Sequence, residues 1–247
     1  MQLSSLIKCF ITLFAFAVLH NNISAQTGSL SADRPGVSHG THAVTPGNFY
    51  LEFGYQFSFN KNLNYSSMPI SNFRFGVVEG LEIFVGWSGF DVNHTLNQTE
   101  TGLPSLGTKL QLLKGEAFNL TMVGSIAYSD ISESFPVNPA LALACDYEIN
   151  DVFGVFGTVQ GGYVSEADDK MIELVIAAGL GFGLTENLSS FIEYYNVSYP
   201  ENSGIYHGSE CGIMYLINND LQIDAFGGYG FSNEIDHYMG VGIAKRF

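Results

Sequence analysis

The most constraining feature of this chain is the window from Asn48 to Asn60, in which apolar and polar side chains alternate. Successive side chains of a β-strand point to opposite faces of a sheet, whereas an α-helix would spread the same aromatic residues around its circumference. The window therefore predicts one strand with an unbroken apolar wall and an opposite wall of polar and small residues. The apolar wall comprises Phe49, Leu51, Phe53, Tyr55, Phe57 and Phe59, and the opposite wall includes Tyr50, Glu52, Gly54, Gln56 and Ser58.

The same period of two recurs along the rest of the chain and predicts about 12 strands, within a range of 10–14. Each strand has roughly ten residues, the length that crosses a bilayer at a tilt. We therefore predict an all-β fold, a transmembrane antiparallel up-and-down β-barrel. The predicted strands span residues 48–60, 71–78, 81–91, 105–113, 118–128, 141–149, 152–163, 171–184, 188–199, 206–217, 221–231 and 238–247.

The predicted connections alternate between short turns and longer polar stretches. The short connections fall at residues 79–80, 114–117, 150–151, 185–187 and 218–220. The longer stretches include residues 92–104, 129–138 and 200–205. Short turns at one rim and long loops at the other are typical of outer-membrane barrels, whose termini lie on the short-turn, periplasmic side. The chain is therefore expected in the cell outer membrane.

The start of the chain has the pattern of a secretory signal. Lys8 precedes a run from Phe10 to Leu19 that is apolar except for Thr12, and Ala25 supplies a small residue for cleavage. A membrane-spanning helix needs roughly 20 apolar residues, so this run is too short to span. A buried N-terminal helix is the alternative. We predict a signal peptide at residues 1–25, an N-terminal periplasmic or lumen-docking segment at 26–46, and the barrel at 47–247.

The charge balance limits the partners. The formal net charge is −15, from 24 acidic and 9 basic residues, which argues against nucleic acid as a partner. A secreted soluble barrel or sandwich would also alternate, but its polar face would lie outside and be rich in Lys. Here the polar face carries carboxylate, Gly, Ser and Gln side chains, which suit a narrow wet interior. The expected partners are outer-membrane lipid, the barrel-assembly machinery and a small-molecule solute.

Seven charged residues are predicted to line the lumen. Three of them, Glu52, Arg74 and Glu82, come from successive strands, so the cation would lie between two carboxylates. One interpretation is a salt-bridged brace that fills a narrow lumen. The other is a constriction that filters solutes and, because carboxylates are in surplus, favours cations or neutral molecules. The candidate lumen residues are Glu52, Arg74, Glu82, Lys109, Asp146, Glu193 and Asp224, with the phase of Glu193 ambiguous because Phe191 and Tyr195 share its parity.

Signatures of other chemistry are sparse, and we assign no catalytic residue, metal ligand or cofactor. His207 and Ser209 share a face without an orienting partner, which makes a lipid-modifying enzyme the less favoured possibility. A rim metal or pH-sensing site is conceivable, although solvated loop histidines are the favoured interpretation. Its members would be His94, His207, His237, Glu100, Glu201 and Asp236, whereas His39 and His42 are expected on the opposite side of the membrane. Cys145 and Cys211 are interpreted as small apolar residues, although two cysteines could pair in an oxidising compartment.

Several short segments resemble a known family. They are 31–36 (Ser-Ala-Asp-Arg-Pro-Gly), 45–47 (Thr-Pro-Gly) leading into the first strand, 105–113 with Lys109, 219–224, and the closing Lys245-Arg246-Phe247. The pattern is similar to that of the transporter barrels grouped under the meta-pathway of phenol degradation, common in Bacteroidota. The resemblance implies uptake of small, aromatic or hydrophobic molecules across the outer membrane.

The same resemblance places Asp33 and Arg34 at the start of a segment that precedes the first strand. We hypothesise that residues 26–44 fold into or under the lumen, where Arg34 could meet the surplus carboxylates; a loose periplasmic tail is the alternative. The terminal Phe247 resembles the assembly signal of outer-membrane barrels, although Lys245 stands where an aromatic residue would be usual.

The function predicted from these observations is a passive outer-membrane transporter or channel for small molecules. A non-conducting structural or surface-recognition barrel is the alternative.

Overall fold

The computed structural model describes residues 28–60, 63–128, 137–166, 169–200, 204–232 and 237–247. The predicted signal peptide, residues 1–25, lies outside these ranges. Across the described ranges, no helix has the length and apolar character needed to cross a membrane.

The described residues form one antiparallel sheet that closes on itself, because β1 pairs with both β2 and β14. Two positions in the wall are each filled by two short strands. β3 and β4 both pair with β2, β6 pairs with β3, and β5 pairs with β4. The wall therefore has 12 members, and the predicted barrel is confirmed. The strands are β1 Phe49–Asn60, β2 Leu63–Val78, β3 Leu81–Trp87, β4 Phe90–Asn93, β5 Gln98–Thr101, β6 Pro104–Lys114, β7 Phe118–Tyr128, β8 Val137–Asn150, β9 Phe153–Glu166, β10 Asp169–Gly183, β11 Leu188–Tyr199, β12 Gly204–Asn218, β13 Leu221–Gly230 and β14 His237–Arg246.

The two ends of the barrel sequence meet at the short-turn rim. Phe49 N donates to Phe247 O over 3.2 Å, Phe247 N donates to Phe49 O over 2.9 Å, and their rings stack with centroids 4.9 Å apart. From there β1 and β14 stay in register as far as Phe59 opposite His237. Closure leaves neither strand as a free edge, which antiparallel membrane barrels require.

The distribution of side chains is inverted relative to a soluble protein. Large apolar side chains face outward around the wall, including Val159 at 58% exposure, whereas Arg74, Glu82 and Lys109 are fully buried inside. Soluble proteins rarely expose an apolar surface this continuous. The outward wall is therefore suited to lipid. Cys145 and Cys211, both on this wall, are free thiols.

Two predicted details differ in the structure. The stretch 92–104 was expected to be a long loop, but it contains β5 and the end of β4, which extend the barrel as a paired hairpin. The second strand begins at Leu63, eight residues before the predicted start, and follows β1 after only residues 61–62. A bulge in β2 explains the second difference. Between Gly54 and Gln56 the pairing partner moves from Ile70 to Ser67, so β2 has one extra residue there. The extra residue reverses the inside–outside alternation along β2, which the prediction had followed only from residue 71.

Candidate functional site

The barrel interior holds the chain that precedes β1, residues 28–46, which we call the lumen segment. It enters at the short-turn rim, where Leu30 N donates to Asn219 O over 2.8 Å in the turn between β12 and β13. It leaves at the same rim, where Pro46 forms a bridge with Gly76 of β2. Between these points its backbone and side chains bond to inward residues of the wall.

The strongest attachment is centred on Arg74 of β2. Its Nε and Nη2 donate to the two oxygens of Glu82 over 2.8 and 2.9 Å, and its Nη1 donates to Glu52 over 2.9 Å. The remaining two N–H groups reach the lumen segment, at Ser31 O over 3.1 Å and at His42 O over 3.0 Å. All five guanidinium donors are thus used, and the segment supplies two of the acceptors.

The two carboxylates around Arg74 also accept hydrogen bonds from the lumen segment. Val44 N donates to Glu82 over 2.7 Å, and Asp33 N donates to Glu52 over 3.1 Å. The arginine and the two carboxylates of this cluster therefore all form hydrogen bonds with the backbone of the lumen segment.

Asp33 forms the second attachment, with Lys109 of β6. Lys109 Nζ lies 2.6 Å from each carboxylate oxygen, and Arg74 Nη1 lies 3.3 Å away. Burial raises the pKa of Asp33, but the charges of Arg74 and Lys109 outweigh burial and hold that pKa below its usual value. Asp33 therefore stays ionised at neutral pH and pairs with the buried Lys109.

Arg34 forms the third attachment, across the lumen from Lys109. Its Nε and Nη2 donate to the two oxygens of Asp224 over 3.0 and 3.1 Å, and Nη2 also reaches Val241 O at 3.3 Å. The guanidinium carbon lies 5.9 Å from the centre of the Phe226 ring. Gln222 closes the contact by donating to Arg34 O over 3.2 Å.

The middle of the lumen segment is held by Glu193 of β11. Val37 N, Ser38 N and the Ser38 hydroxyl all donate to this carboxylate, the last two over 3.2 and 2.8 Å. Glu210 lies directly opposite Glu193 on β12 and accepts from the Tyr238 hydroxyl over 2.6 Å. Within the part of the chain that the structure describes, Glu210 Oε1 is buried without a hydrogen-bond partner.

The returning part of the segment bonds to β7, β8 and β9. The Thr41 hydroxyl donates to Asp146, and Thr121 donates to Thr41 O over 2.5 Å. His39 N donates to Thr158 over 3.0 Å, and its ring nitrogen lies 3.1 Å from Gln160. Burial lowers the pKa of His39, which is therefore neutral. His39 therefore lies inside the barrel, as part of the lumen segment.

Inward glycines make room for bulky groups on neighbouring strands. A side chain at Gly179 would overlap the Phe156 ring, one at Gly212 would overlap Phe191, and one at Gly240 would overlap Phe226. Aromatic rings can therefore lie flat against the wall. Beside them, between the lumen segment and the short-turn ends of β8 to β12, lies a cavity of about 520 Å³.

The structure brings every predicted lumen residue to one place, the surface of the lumen segment. Glu52, Arg74, Glu82, Lys109, Asp146, Glu193 and Asp224 each bond to it, and Asp33 and Arg34 supply its charged contacts. The side chain of Glu193, whose direction was ambiguous in the sequence, points inward, and those of Phe191 and Tyr195 point inward beside it. Glu210 was not among the candidates. The alternation of β12 was the signal that could have found it, because Glu210 is next to the outward Cys211 and must point inward.

The rim histidines do not assemble into one site in the described residues. His94 stacks on Phe57, His237 stacks on Phe59, and His207 contacts Tyr194 on the outer wall. No three His, Cys, Asp or Glu side chains within the described ranges are grouped to hold a metal. Glu201 and Asp236 lie outside those ranges.

A closed antiparallel barrel with an apolar exterior and a charged interior is the fold of outer-membrane channels. By sequence, no family model and no curated protein matches the chain. By structure, it resembles the COG4313 outer membrane channel from Pseudomonas putida F1, with a TM-score of 0.63 and 11% identity over 87% of this chain and 99% of that chain. It also resembles the KdgM porin (TM-score 0.58, 9% identity, 79% of this chain and 99% of that one) and the NanC porin (0.57, 7%, 80% and 98%). At these identities the likeness concerns the fold.

Proposed function

We propose that this chain is a passive channel of the bacterial outer membrane for small molecules, and that the lumen segment narrows its path. The observation that carries the proposal is the combination of an apolar outer wall with a charged interior. Charged side chains are placed inside a barrel where water or solutes reach them. Membrane lipid and the barrel-assembly machinery are the partners that this location implies.

The lumen segment narrows the path for solutes, because inward side chains of the wall bind it inside the barrel. Three charged attachments and the Glu193 contact fix it within the short-turn half of the interior. Because the lumen segment precedes β1 and is not a strand of the wall, it can move without breaking the hydrogen bonds between strands.

The solved neighbours are described as channels and porins, which supports transport over catalysis. One KdgM structure is of a complex with disordered oligogalacturonate, so a barrel of similar shape can bind an acidic carbohydrate. The resemblance to the phenol-degradation barrels favours small aromatic or hydrophobic molecules for this chain instead.

Single-channel recording in planar bilayers tests the proposal. We expect the barrel to conduct weakly and expect a variant lacking residues 28–43 to conduct several times more. The variant Glu52→Gln should shift ion preference away from cations, since it removes a lumen carboxylate. Conductance that is absent from both the full barrel and the deletion variant would reject the channel.

A structural or surface-recognition barrel is the second candidate. It is favoured by the number of bonds that tie the lumen segment to the wall, which suit a permanent plug. Absence of solute-induced swelling in liposomes, together with binding that depends on the outer loops, would support this function.

A further inference from the structure

We propose that the surroundings of Asp224 form a binding site for guanidinium groups, which Arg34 occupies as a tethered ligand and for which guanidinium-bearing solutes compete. The inference rests on the proposed channel function and names a solute class for it. The site consists of Asp224, Phe226, Val241, Gly242 and Gly54, which we call the guanidinium slot.

The slot matches the shape of a guanidinium group. Asp224 accepts two parallel hydrogen bonds from Nε and Nη2, the arrangement that a planar fork makes and an ammonium group cannot. Val241 O accepts a further bond at 3.3 Å. The Phe226 ring, 5.9 Å from the guanidinium carbon, adds a cation–π contact.

Two glycines form the floor of the slot. Gly54 of β1 and Gly242 of β14 are directly opposite each other, and Gly242 is also opposite Asp224 of β13. A Cβ atom at either glycine would overlap the Arg34 guanidinium. The floor and the carboxylate therefore form one row across three neighbouring strands, and the row is open only because both residues lack side chains.

The slot differs from the Arg74 cluster in where its cation comes from. Arg74 and Lys109 belong to the wall, so a solute cannot replace them. Arg34 belongs to the lumen segment, whose displacement would leave Asp224 facing the lumen without this partner. A solute cation would restore the missing charge.

The rest of the wall would attract such a cation. Without the lumen segment, the inward charges described above are six carboxylates, Glu52, Glu82, Asp146, Glu193, Glu210 and Asp224, and two cations, Arg74 and Lys109. An anion would meet net repulsion in this interior, whereas a planar cation would find both attraction and a fitted partner.

The tether sets the concentration at which competition occurs. A group held by a short linker has an effective concentration of the order of millimolar. A free guanidinium compound must therefore exceed that level in the wild-type barrel, whereas a barrel that lacks the Arg34 side chain should respond at much lower concentrations.

Binding to the variant Arg34→Ala tests the slot directly. We would titrate guanidinium chloride into the detergent-solubilised barrel and measure heat release and the temperature of unfolding. Sodium chloride and methylammonium chloride at equal ionic strength are the controls. We expect guanidinium to raise the unfolding temperature of Arg34→Ala and to bind roughly tenfold more tightly than methylammonium. The double variant Arg34→Ala with Asp224→Asn should lose this preference.

Equal responses to the three cations, or a response that survives Asp224→Asn, would overturn the slot. If Arg34→Ala does not fold, Arg34→Gln provides a second route, because it keeps much of the side chain but removes the cation from Asp224. Guanidinium, and not methylammonium, should raise the unfolding temperature of this variant, and equal responses to the two cations would overturn the slot. Conductance separates this inference from the proposed function. Guanidinium-specific binding in a barrel that never conducts would retain the slot and reject the channel, whereas a conducting barrel without that preference would retain the channel and reject the slot.

Discussion

Arg74 and Glu82 lie on neighbouring strands and share two parallel hydrogen bonds of 2.8 and 2.9 Å, and both side chains are completely buried. Because the lumen segment bonds to each of them, this pair joins the wall to the segment. Removing one member leaves the other as an uncompensated buried charge.

The variant Arg74→Gln should therefore lose about 3–5 kcal/mol of unfolding free energy. Lys114→Gln is the matched control, since Lys114 pairs with Glu79 over 2.7 Å but both side chains are more than 60% exposed. Such exposed pairs contribute roughly 0–1 kcal/mol. Urea unfolding of the two variants in lipid vesicles provides the measurement, and equal losses would show that the buried cluster is not structural.

Gly242→Ala should increase conductance. The added methyl group overlaps the guanidinium of Arg34, which must leave Asp224 and carry part of the lumen segment with it. Gly181→Ala is the control, because a Cβ there meets no atom within 4 Å and lines the cavity instead. Single-channel recordings should show a higher current for the first variant and an unchanged one for the second; the same current in both would mean that Arg34 does not restrict the path.

Val159→Arg should destabilise the barrel more than Val152→Arg. The two valines are equally exposed, at 58% and 57%, but Val159 lies midway along β9 and Val152 lies in the turn at the rim. An arginine on the lipid face costs about 2–4 kcal/mol at the middle of a bilayer and about 0–1 near its edge. The difference should appear in vesicles of phospholipid. A similar cost at both positions would contradict a lipid-facing wall.

Phe247→Ala should reduce assembly more than stability. Phe247 stacks on Phe49 where the barrel closes, but the backbone bonds between these residues do not require the ring. We expect less barrel in the outer-membrane fraction of cells and a nearly normal yield on refolding into detergent. Phe153→Ala, which removes a ring from a paired contact away from the closure, is the comparison.

The wall could be predicted from the sequence because its signal is local. Each strand, such as Phe49–Asn60, shows its two faces within its own residues, and the predicted inward position of Arg74 between Glu52 and Glu82 follows from three short windows. Pairing of neighbours along the chain then fixes the order of strands.

The lumen contacts could not be predicted to the same degree, because they are long-range. Arg34 and Asp224 are 190 residues apart, and no local pattern relates them. From the sequence, Gly54 was placed only as a small residue on the polar face and Gly242 was not singled out, since the role of both depends on a side chain from another part of the chain. The alternation along β12 could likewise have placed Glu210 inside the barrel, but it does not indicate the partners that this carboxylate meets.

The lumen segment enters and leaves the barrel at the same rim, beside Asn219 and Gly76. Within the described residues, the segment is therefore a loop that lies in the barrel from one side, and this part of the chain does not pass through the ring of strands. The ring can close first and receive the loop afterwards, and the loop can be withdrawn toward the same side without a strand being unzipped. Closure of the barrel and occlusion of its lumen can consequently occur as two separate steps.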